Sequence, residues 1–94
     1  MAAYVIADIE VTDPEGYEEY KRLVQEAVAQ YGGEYAMRGG TVEVLEGVWR
    51  PRRFVMLRFE DGEAARRWYN SPENSRAKAV RNRTADSNIV LIEG

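Results

Sequence analysis

The sequence contains neither cysteine nor histidine among its 94 residues. Without cysteine the chain cannot form a disulfide bridge, a thiolate metal site or a thiol nucleophile. Without histidine it also lacks the most common general base, the most common metal ligand and the usual proximal ligand of haem. Any chemistry must use carboxylates, tyrosine, lysine, arginine or a borrowed cofactor, so we assign no metal site and no cofactor.

Long apolar runs are also absent. No segment approaches the roughly 20 apolar residues that a membrane-spanning helix requires, and the first ten residues lack the basic start of a secretion signal. We therefore expect a cytoplasmic protein with no membrane partner. Hydrophobic residues make up 45% and charged residues 31%, which is typical of one globular domain spanning residues 1–94.

The net charge of −3 is unevenly distributed along the chain. The first 49 residues carry 10 acidic and 3 basic side chains, whereas the rest of the chain carries 6 and 10. Such asymmetry can mark a nucleic-acid-binding face, although two halves of one domain that neutralise each other explain it more simply. Because the net charge is acidic, we expect no nucleic-acid partner.

Alternation and helical periodicity divide the chain into strands and helices. Strands are predicted where apolar residues alternate, and helices where they recur every three or four positions after a capping side chain. The predicted strands are Tyr4–Val11, Glu34–Met37 resumed at Thr41–Leu45, Arg53–Glu60 and Asn88–Glu93, and the predicted helices are Pro14–Tyr31, Asp61–Asn70 and Ser71–Thr84.

This order predicts an α+β domain of the ferredoxin-like βαββαβ type. Four strands would form one antiparallel sheet in the order 4-1-3-2, with the helices on one face. The strands at Tyr4–Val11 and Arg53–Glu60 would then lie side by side in the centre of the sheet.

The sheet face without helices is predicted to be apolar. Exposing it would forfeit stability at roughly 25 cal/mol per Å² of apolar area and would favour aggregation. We therefore expect a homodimer in which a second copy covers this face. The alternative is a monomer whose Gly47–Arg52 connection folds over the sheet. The apolar residues concerned are Tyr4, Ile6, Phe54, Met56, Val90 and Ile92.

Several short motifs, in order and over nearly the whole chain, carry a family resemblance. They are Tyr4-Val-Ile-Ala-Asp-Ile, Tyr31-Gly-Gly, Arg38-Gly-Gly, Val44-Leu-Glu-Gly before Trp49-Arg-Pro, Trp68-Tyr-Asn-Ser-Pro-Glu and Ala85-Asp-Ser-Asn. Together they resemble domain-of-unknown-function family 1330. One departure is Asn74, at a position where an aromatic residue is expected in that family.

The resemblance implies the fold and the homodimer of the dimeric α/β-barrel superfamily, in which two ferredoxin-like sheets face each other. Relatives in that superfamily include cofactor-free quinone-forming monooxygenases, muconolactone-isomerase-type enzymes and haem-dependent enzymes. The resemblance implies no activity, because the family has none assigned and a fold does not determine a function.

Asp8 and Arg58 are the candidate catalytic residues. Both are predicted on the helix-free face of neighbouring strands, where partial desolvation favours the pairing of opposite charges. The pair would act as an acid or base with an electrophilic partner beside a ligand. Alternatively, it would be an ion pair that fixes the strand register or the dimer interface.

Arg38 and Gly39 are candidate ligand-binding residues. Glycine lets a backbone amide approach a ligand, and arginine offers a planar fork to a carboxylate or phosphate. The alternative is a bulge with an exposed arginine at a sheet edge. Phe54 and Met56 would add an apolar wall inside the dimer.

Aromatic residues of the helices are further candidates. Tyr20 shares the apolar stripe of the first helix with Tyr17 and Tyr31, and a buried tyrosine hydroxyl seeks a partner. Tyr20 and Trp68 would contact a ligand, or they would belong to the core. The basic residues of the last helix are assigned to a solvated face; they are Arg76, Lys78, Arg81 and Arg83.

Three functions are consistent with the sequence. The first is binding of a small apolar or aromatic molecule between the two sheets, with a cofactor-free oxygenase or isomerase as the enzymatic version. The second is a structural or regulatory dimer without a pocket. The third is RNA binding, because the strand order matches that of an RNA-recognition module, but the central strands lack the required set of exposed aromatics. Whether the protein is an enzyme is left open.

Overall fold

The computed structural model describes all 94 residues and contains one sheet and three helices. In chain order, the elements are β1 (Ala3–Val11), α1 (Pro14–Gln30), β2 (Glu34–Arg38), β3 (Arg53–Phe59), α2 (Gly62–Tyr69), α3 (Pro72–Thr84) and β4 (Ala85–Glu93). The strands pair antiparallel in the order β2-β3-β1-β4, which confirms the predicted ferredoxin-like topology. None of the helices combines the length and the apolar character that crossing a bilayer requires.

Each helix begins at a side-chain oxygen that caps it. Asp13, Asp61 and Ser71 each accept a hydrogen bond from the backbone N–H three residues later, at 2.8 to 3.2 Å. Pro14 and Pro72 follow two of these caps, in the first helical turn, where a backbone N–H has no partner in any case. The capping residues therefore determine where the predicted helices start.

Alternation along β1 and β3 gives the sheet two different faces. On β1, Val5, Ala7 and Ile9 are buried under the helices. On β3, Phe59 is fully buried and stacks on Trp68 of α2, with ring centroids 5.3 Å apart. The core thus lies between the helices and one face of the sheet.

The opposite face carries the predicted apolar residues and no helix. Val90 and Ile92 of β4 remain 54% and 47% exposed, and Ile6 lies opposite Val90 in the strand pairing. An antiparallel sheet with its second face free of helices usually presents polar side chains there. This face is instead partly apolar, as the sequence predicted.

The predicted strand at Thr41–Leu45 is wrong. The N–H of Gly39 donates to the carbonyl of Phe54 at 2.8 Å, and there the pairing with β3 ends. Gly39 and Gly40 then adopt φ angles of +78° and +111°, which turn the chain away from the sheet. Because β3 begins at Arg53, no backbone is left to pair with Thr41–Leu45 despite its alternation.

The last strand begins three residues earlier than predicted. It starts at Ala85, directly after α3, and Ala85 pairs with Val11 at the end of β1. The carbonyl of Thr84 accepts the N–H groups of Thr12 and Asp13 at 2.8 and 3.0 Å. These contacts tie the end of α3 to the start of α1, so β1 and β4 pair over their full length.

Candidate functional site

A cavity of about 40 Å³ lies between α1 and the helix-covered face of the sheet. Half of its sixteen lining residues are apolar and belong to the core. The others are Lys21, Gln25 and a group of three tyrosines and three arginines, after which we call the whole the tyrosine–arginine cavity. These six residues are Tyr17, Tyr20, Tyr35, Arg38, Arg53 and Arg81.

The tyrosines come from the inner faces of α1 and β2. Tyr17 and Tyr20 are buried, and their spacing of three residues places them on one side of α1, with ring centroids 5.0 Å apart. Tyr35 projects from β2 and is partly buried against the core. Three phenol rings therefore meet at one end of the hydrophobic core.

The arginines reach the cavity from β3, α3 and β2. Arg53 lies two residues before Val55, so alternation directs it to the helix-covered face. Arg81 lies four residues after buried Ala77 and is itself only 5% exposed. Arg38, at the end of β2, is exposed and marks the solvent side of the cavity.

The cavity contains no carboxylate to balance these charges. None of Arg38, Arg53 and Arg81 takes part in an ion pair, and the lining includes no aspartate or glutamate. The guanidinium of Arg38 lies 4.7 Å from the ring centre of Tyr35, and that of Arg81 lies 5.7 Å from the ring centre of Tyr20. Cation–π contacts are thus among the few favourable interactions that these cations make.

Burial favours the protonated hydroxyls of Tyr17 and Tyr35. Removal from water raises the pKa of Tyr35 to about 12, with a further rise from neighbouring Tyr20, while Arg38 and Arg53 oppose it. Burial likewise raises the pKa of Tyr17, again against the effect of Arg53 and Arg81. Protonated phenols and guanidinium groups all donate hydrogen bonds. The cavity therefore offers donors and lacks an anionic acceptor.

The predicted ligand-binding residues are divided between the two faces of the sheet. Tyr20, Arg38 and Trp68 line the tyrosine–arginine cavity. Phe54 and Met56 belong to the helix-free face, so the sheet separates them from the other three. These five residues therefore do not line one cavity within a protomer, and the contact of each with a ligand stays a prediction. Gly39 follows Arg38 at the end of β2, and its backbone N–H already donates a hydrogen bond to the carbonyl of Phe54.

Asp8 and Arg58 do not form the expected ion pair. In the register of β1 and β3, Asp8 lies opposite Phe54 whereas Arg58 lies opposite Tyr4. The two are therefore four residues apart along the strands, or about 13 Å at the usual rise of a strand. Arg58 pairs instead with Glu34 of β2, at 3.4 Å.

Asp8 anchors the connection between β2 and β3. Its carboxylate accepts a hydrogen bond from the Trp49 indole at 2.8 Å and another from the backbone N–H of Arg52 at 3.0 Å. The Trp49 ring meets the Phe54 ring edge-on, with centroids 6.0 Å apart. The predicted alternative, a connection folded over the sheet, is thus present at one end of the helix-free face. Val90, at the border of this covered end, stays exposed.

Sequence reasoning missed Tyr35, Arg53 and Arg81. The assignment of Arg81 to a solvated face is wrong, because it lies on the buried stripe of α3 together with Ala77 and Thr84. The helical spacing of Ala77, Arg81 and Thr84, four and then three residues, could have indicated that Arg81 is buried. The positive charge of Arg81 favoured a solvent-exposed position instead. Asn74 is also fully buried, and its amide donates to the carbonyl of Tyr69 at 3.1 Å, which ties α3 to α2.

The family model described as Domain of unknown function (DUF1330) matches residues 2–94. The chain belongs to this family. No curated protein matches it in sequence.

No group of three or more carboxylates is placed where it could hold a metal ion.

Solved structures similar to this DUF1330 protein confirm the fold. A protein of unknown function from Rhodopseudomonas palustris has a TM-score of 0.81 and 14% identity, covering 99% of this chain and 82% of its own. A dimeric ferredoxin-like protein of unknown function from Thermobifida fusca has a TM-score of 0.68 and 19% identity, covering 100% and 92%. SnoaB, a cofactor-independent oxygenase from Streptomyces nogalater, has a TM-score of 0.64 and 16% identity, covering 99% and 91%.

Proposed function

We propose that this DUF1330 protein is a homodimer that binds a small organic molecule in the tyrosine–arginine cavity of each protomer. The observation that carries the proposal is the composition of the cavity wall. Core cavities that serve only packing are apolar, whereas this one gathers three phenol groups and three arginines. Convergent polar groups in an otherwise apolar pocket are the usual character of a ligand site.

The volume of the cavity limits what enters it. A buried water occupies at least roughly 10 to 15 Å³ on the same measure, so 40 Å³ holds only a few water-sized groups. The ligand is therefore small, or it inserts one polar end and leaves the remainder outside. Exposed Arg38 marks the side from which it enters.

The homodimer is supported by the second face of the sheet. Val90 and Ile92 are exposed on it, while the connection covers only the end near Asp8. The similar protein from Thermobifida fusca is dimeric. A second copy placed on this face would bury it and would leave the tyrosine–arginine cavity on the outer side of the sheet.

Cofactor-free oxygenation is a second candidate function. Similarity to SnoaB at 16% identity shows the fold alone, so this candidate depends on the cavity. Hydrogen-bond donors and cations stabilise the enolate form of a substrate, which is the form that reacts with O₂. In such a reaction an activated methylene becomes a carbonyl, with one oxygen atom of O₂ entering the product and the other leaving as water. O₂ uptake with an enolisable aromatic compound measures it.

Ligand mapping by NMR tests the proposed site. A fragment library titrated into the full chain should shift the backbone signals around Tyr17, Tyr20 and Tyr35, and Tyr20→Trp, which fills the cavity, should abolish the shifts. Tyr69→Trp, on the outer side of α2, is the matched control and should leave them unchanged. Shifts confined to Phe54 and Met56 would place the ligand between the sheets and contradict the proposal.

A further inference from the structure

Two arginines of the tyrosine–arginine cavity, one buried and one partly buried, have no counterion. Arg81 is 95% removed from solvent, since its exposed fraction is 5%. The Nε atoms of Arg81 and Arg53 are both buried and have no hydrogen-bond partner. Buried charges in proteins are normally paired, because an unpaired charge away from water is strongly unfavourable.

The surroundings do not supply the missing negative charge. The hydroxyls of Tyr17 and Tyr35 remain protonated because burial raises their pKa. The ring of Tyr20 contacts Arg81 through its π face, which attracts a cation but carries no net charge. Lys21, the fourth basic residue of the lining, is paired with Glu18 at 2.7 Å, outside the group of arginines.

We propose that the tyrosine–arginine cavity is a carboxylate-binding site in which Arg53 and Arg81 hold the carboxylate of a small organic acid. The inference rests on the proposed function and names the class of its ligand. A guanidinium presents parallel N–H groups whose spacing matches the two oxygens of a carboxylate. The carboxylate would give Arg53 Nε and Arg81 Nε their partners and would neutralise the buried charge.

The rest of the lining favours an organic acid over an inorganic anion. Eight of the sixteen lining residues are apolar, including Val24, Val55 and Leu57, and the rings of the three tyrosines add further apolar surface. A phosphate ion would have most of its oxygens facing apolar groups, whereas an organic acid has an apolar end to place there. The phenol groups of Tyr17 and Tyr35 lie beside the arginines and add neutral donors to the carboxylate.

Matched pairs of acids and amides test the inference. Acetate is compared with acetamide, and benzoate with benzamide, by calorimetry and by NMR shifts of the full chain. We expect each acid to bind at least about tenfold more tightly than its amide, a difference of about 1.4 kcal/mol. Inorganic phosphate should bind more weakly than either acid.

Substitution of the arginines identifies the residues responsible. Arg81→Gln and Arg53→Gln should each remove the preference for acid over amide, whereas Arg76→Gln, on the exposed side of α3, should keep it. Circular dichroism of each variant shows whether it is folded. Should Arg81→Gln not fold, Arg53→Gln and the conservative Arg81→Lys carry the test, and the latter should retain a weaker preference.

Each outcome separates the inference from the function on which it rests. Equal binding of acids and amides in the cavity would overturn the carboxylate site and leave the small-molecule function standing. Phosphate binding as tight as that of the acids would also overturn it, in favour of a general anion site. If no probe shifts any cavity signal, both proposals are wrong.

Discussion

Arg81 is the residue whose burial most clearly conflicts with stability. It lies in the core with an unpartnered Nε, and natural proteins keep such residues where a function requires them. Replacing an unpaired buried charge by an apolar side chain of similar volume removes its desolvation penalty. The cation–π contact with Tyr20 is lost in exchange, and it is the smaller of the two effects.

We therefore expect Arg81→Met to stabilise the unliganded protein by about 1 kcal/mol. For a domain of this size, that gain raises the melting temperature by about 4 to 8 °C, which thermal unfolding followed by circular dichroism measures. Arg76→Met, at an exposed position of the same helix, controls for helix propensity and should change little. A lower melting temperature for Arg81→Met would show that Arg81 is structural.

Tyr35 should be among the last tyrosines to ionise as the pH rises. Burial raises its folded-state pKa to about 12, above the ordinary tyrosine value of 10.0. The folded protein thus keeps a proton that the unfolded chain loses, so this residue supports the fold below pH 10 and progressively less towards pH 12. In a pH titration followed by tyrosinate absorbance, the ionisation step at the highest pH should be absent from Tyr35→Phe. The same step should remain in the control variant Tyr69→Phe. A late step that survives Tyr35→Phe would contradict the assignment.

Asp8 and Arg58 should act independently of each other. Their separation of about 13 Å along the strands exceeds the range at which substitutions usually couple. A double-mutant cycle with Asp8→Ala and Arg58→Ala should be additive within about 0.5 kcal/mol in urea unfolding. The pair Arg58 and Glu34, which is in contact, is the positive control. Coupling between Asp8 and Arg58 beyond that limit would require a contact across the dimer.

At the scale of elements, Asp8 is one anchor of the long connection between β2 and β3, beside the ion pair of Arg52 with Glu10 at 3.0 Å. Asp8 accepts hydrogen bonds from Trp49 and from the N–H of Arg52. Asp8→Ala removes both acceptors and should lower the free energy of unfolding by about 1 kcal/mol. Trp49 should become more accessible to a fluorescence quencher, while buried Trp68 provides the unchanged reference. Unaltered quenching would mean that the other contacts of the connection, the Arg52–Glu10 ion pair and the packing of Trp49 on Phe54, hold it without Asp8.

Most elements could be predicted from the sequence because their signals are local. A cap followed by proline determines the starts of α1 and α3, and alternation determines which residues of β1 and β3 are buried. Thr41–Leu45 also alternates, yet it is no strand, because strand formation needs a neighbouring backbone that the local sequence does not reveal. Periodicity alone could not show this competition for partners.

The candidate site was only partly predictable for a related reason. Tyr20 and Trp68 were found because aromatic residues on an inner face are expected to be buried. Arg53 and Arg81 lie on equally clear inner positions, but a charged side chain at such a position is usually assigned to solvent. Only the three-dimensional arrangement shows that both arginines meet the same tyrosines.

For the whole molecule, the helix-free face of the sheet predicts association. Sedimentation should give about twice the chain mass of 10.7 kDa at micromolar concentration. Val90→Lys places a charge on the exposed part of the apolar face and should yield the monomer, because a buried unpaired charge opposes association. Ala79→Lys, on the exposed side of α3, should remain dimeric. A native protein that sediments as a 10.7 kDa species would contradict the homodimer.

The single sheet assigns successive residues of one strand to different tasks. Arg53 and Val55 of β3 face the tyrosine–arginine cavity, while Phe54 and Met56 face the other way. Insertion or deletion of one residue in β3 would shift the strand register by one position and exchange the two sets of side chains between the faces of the sheet. The proposed ligand site and the proposed dimer interface would then be lost together, because both depend on the register of this one short strand.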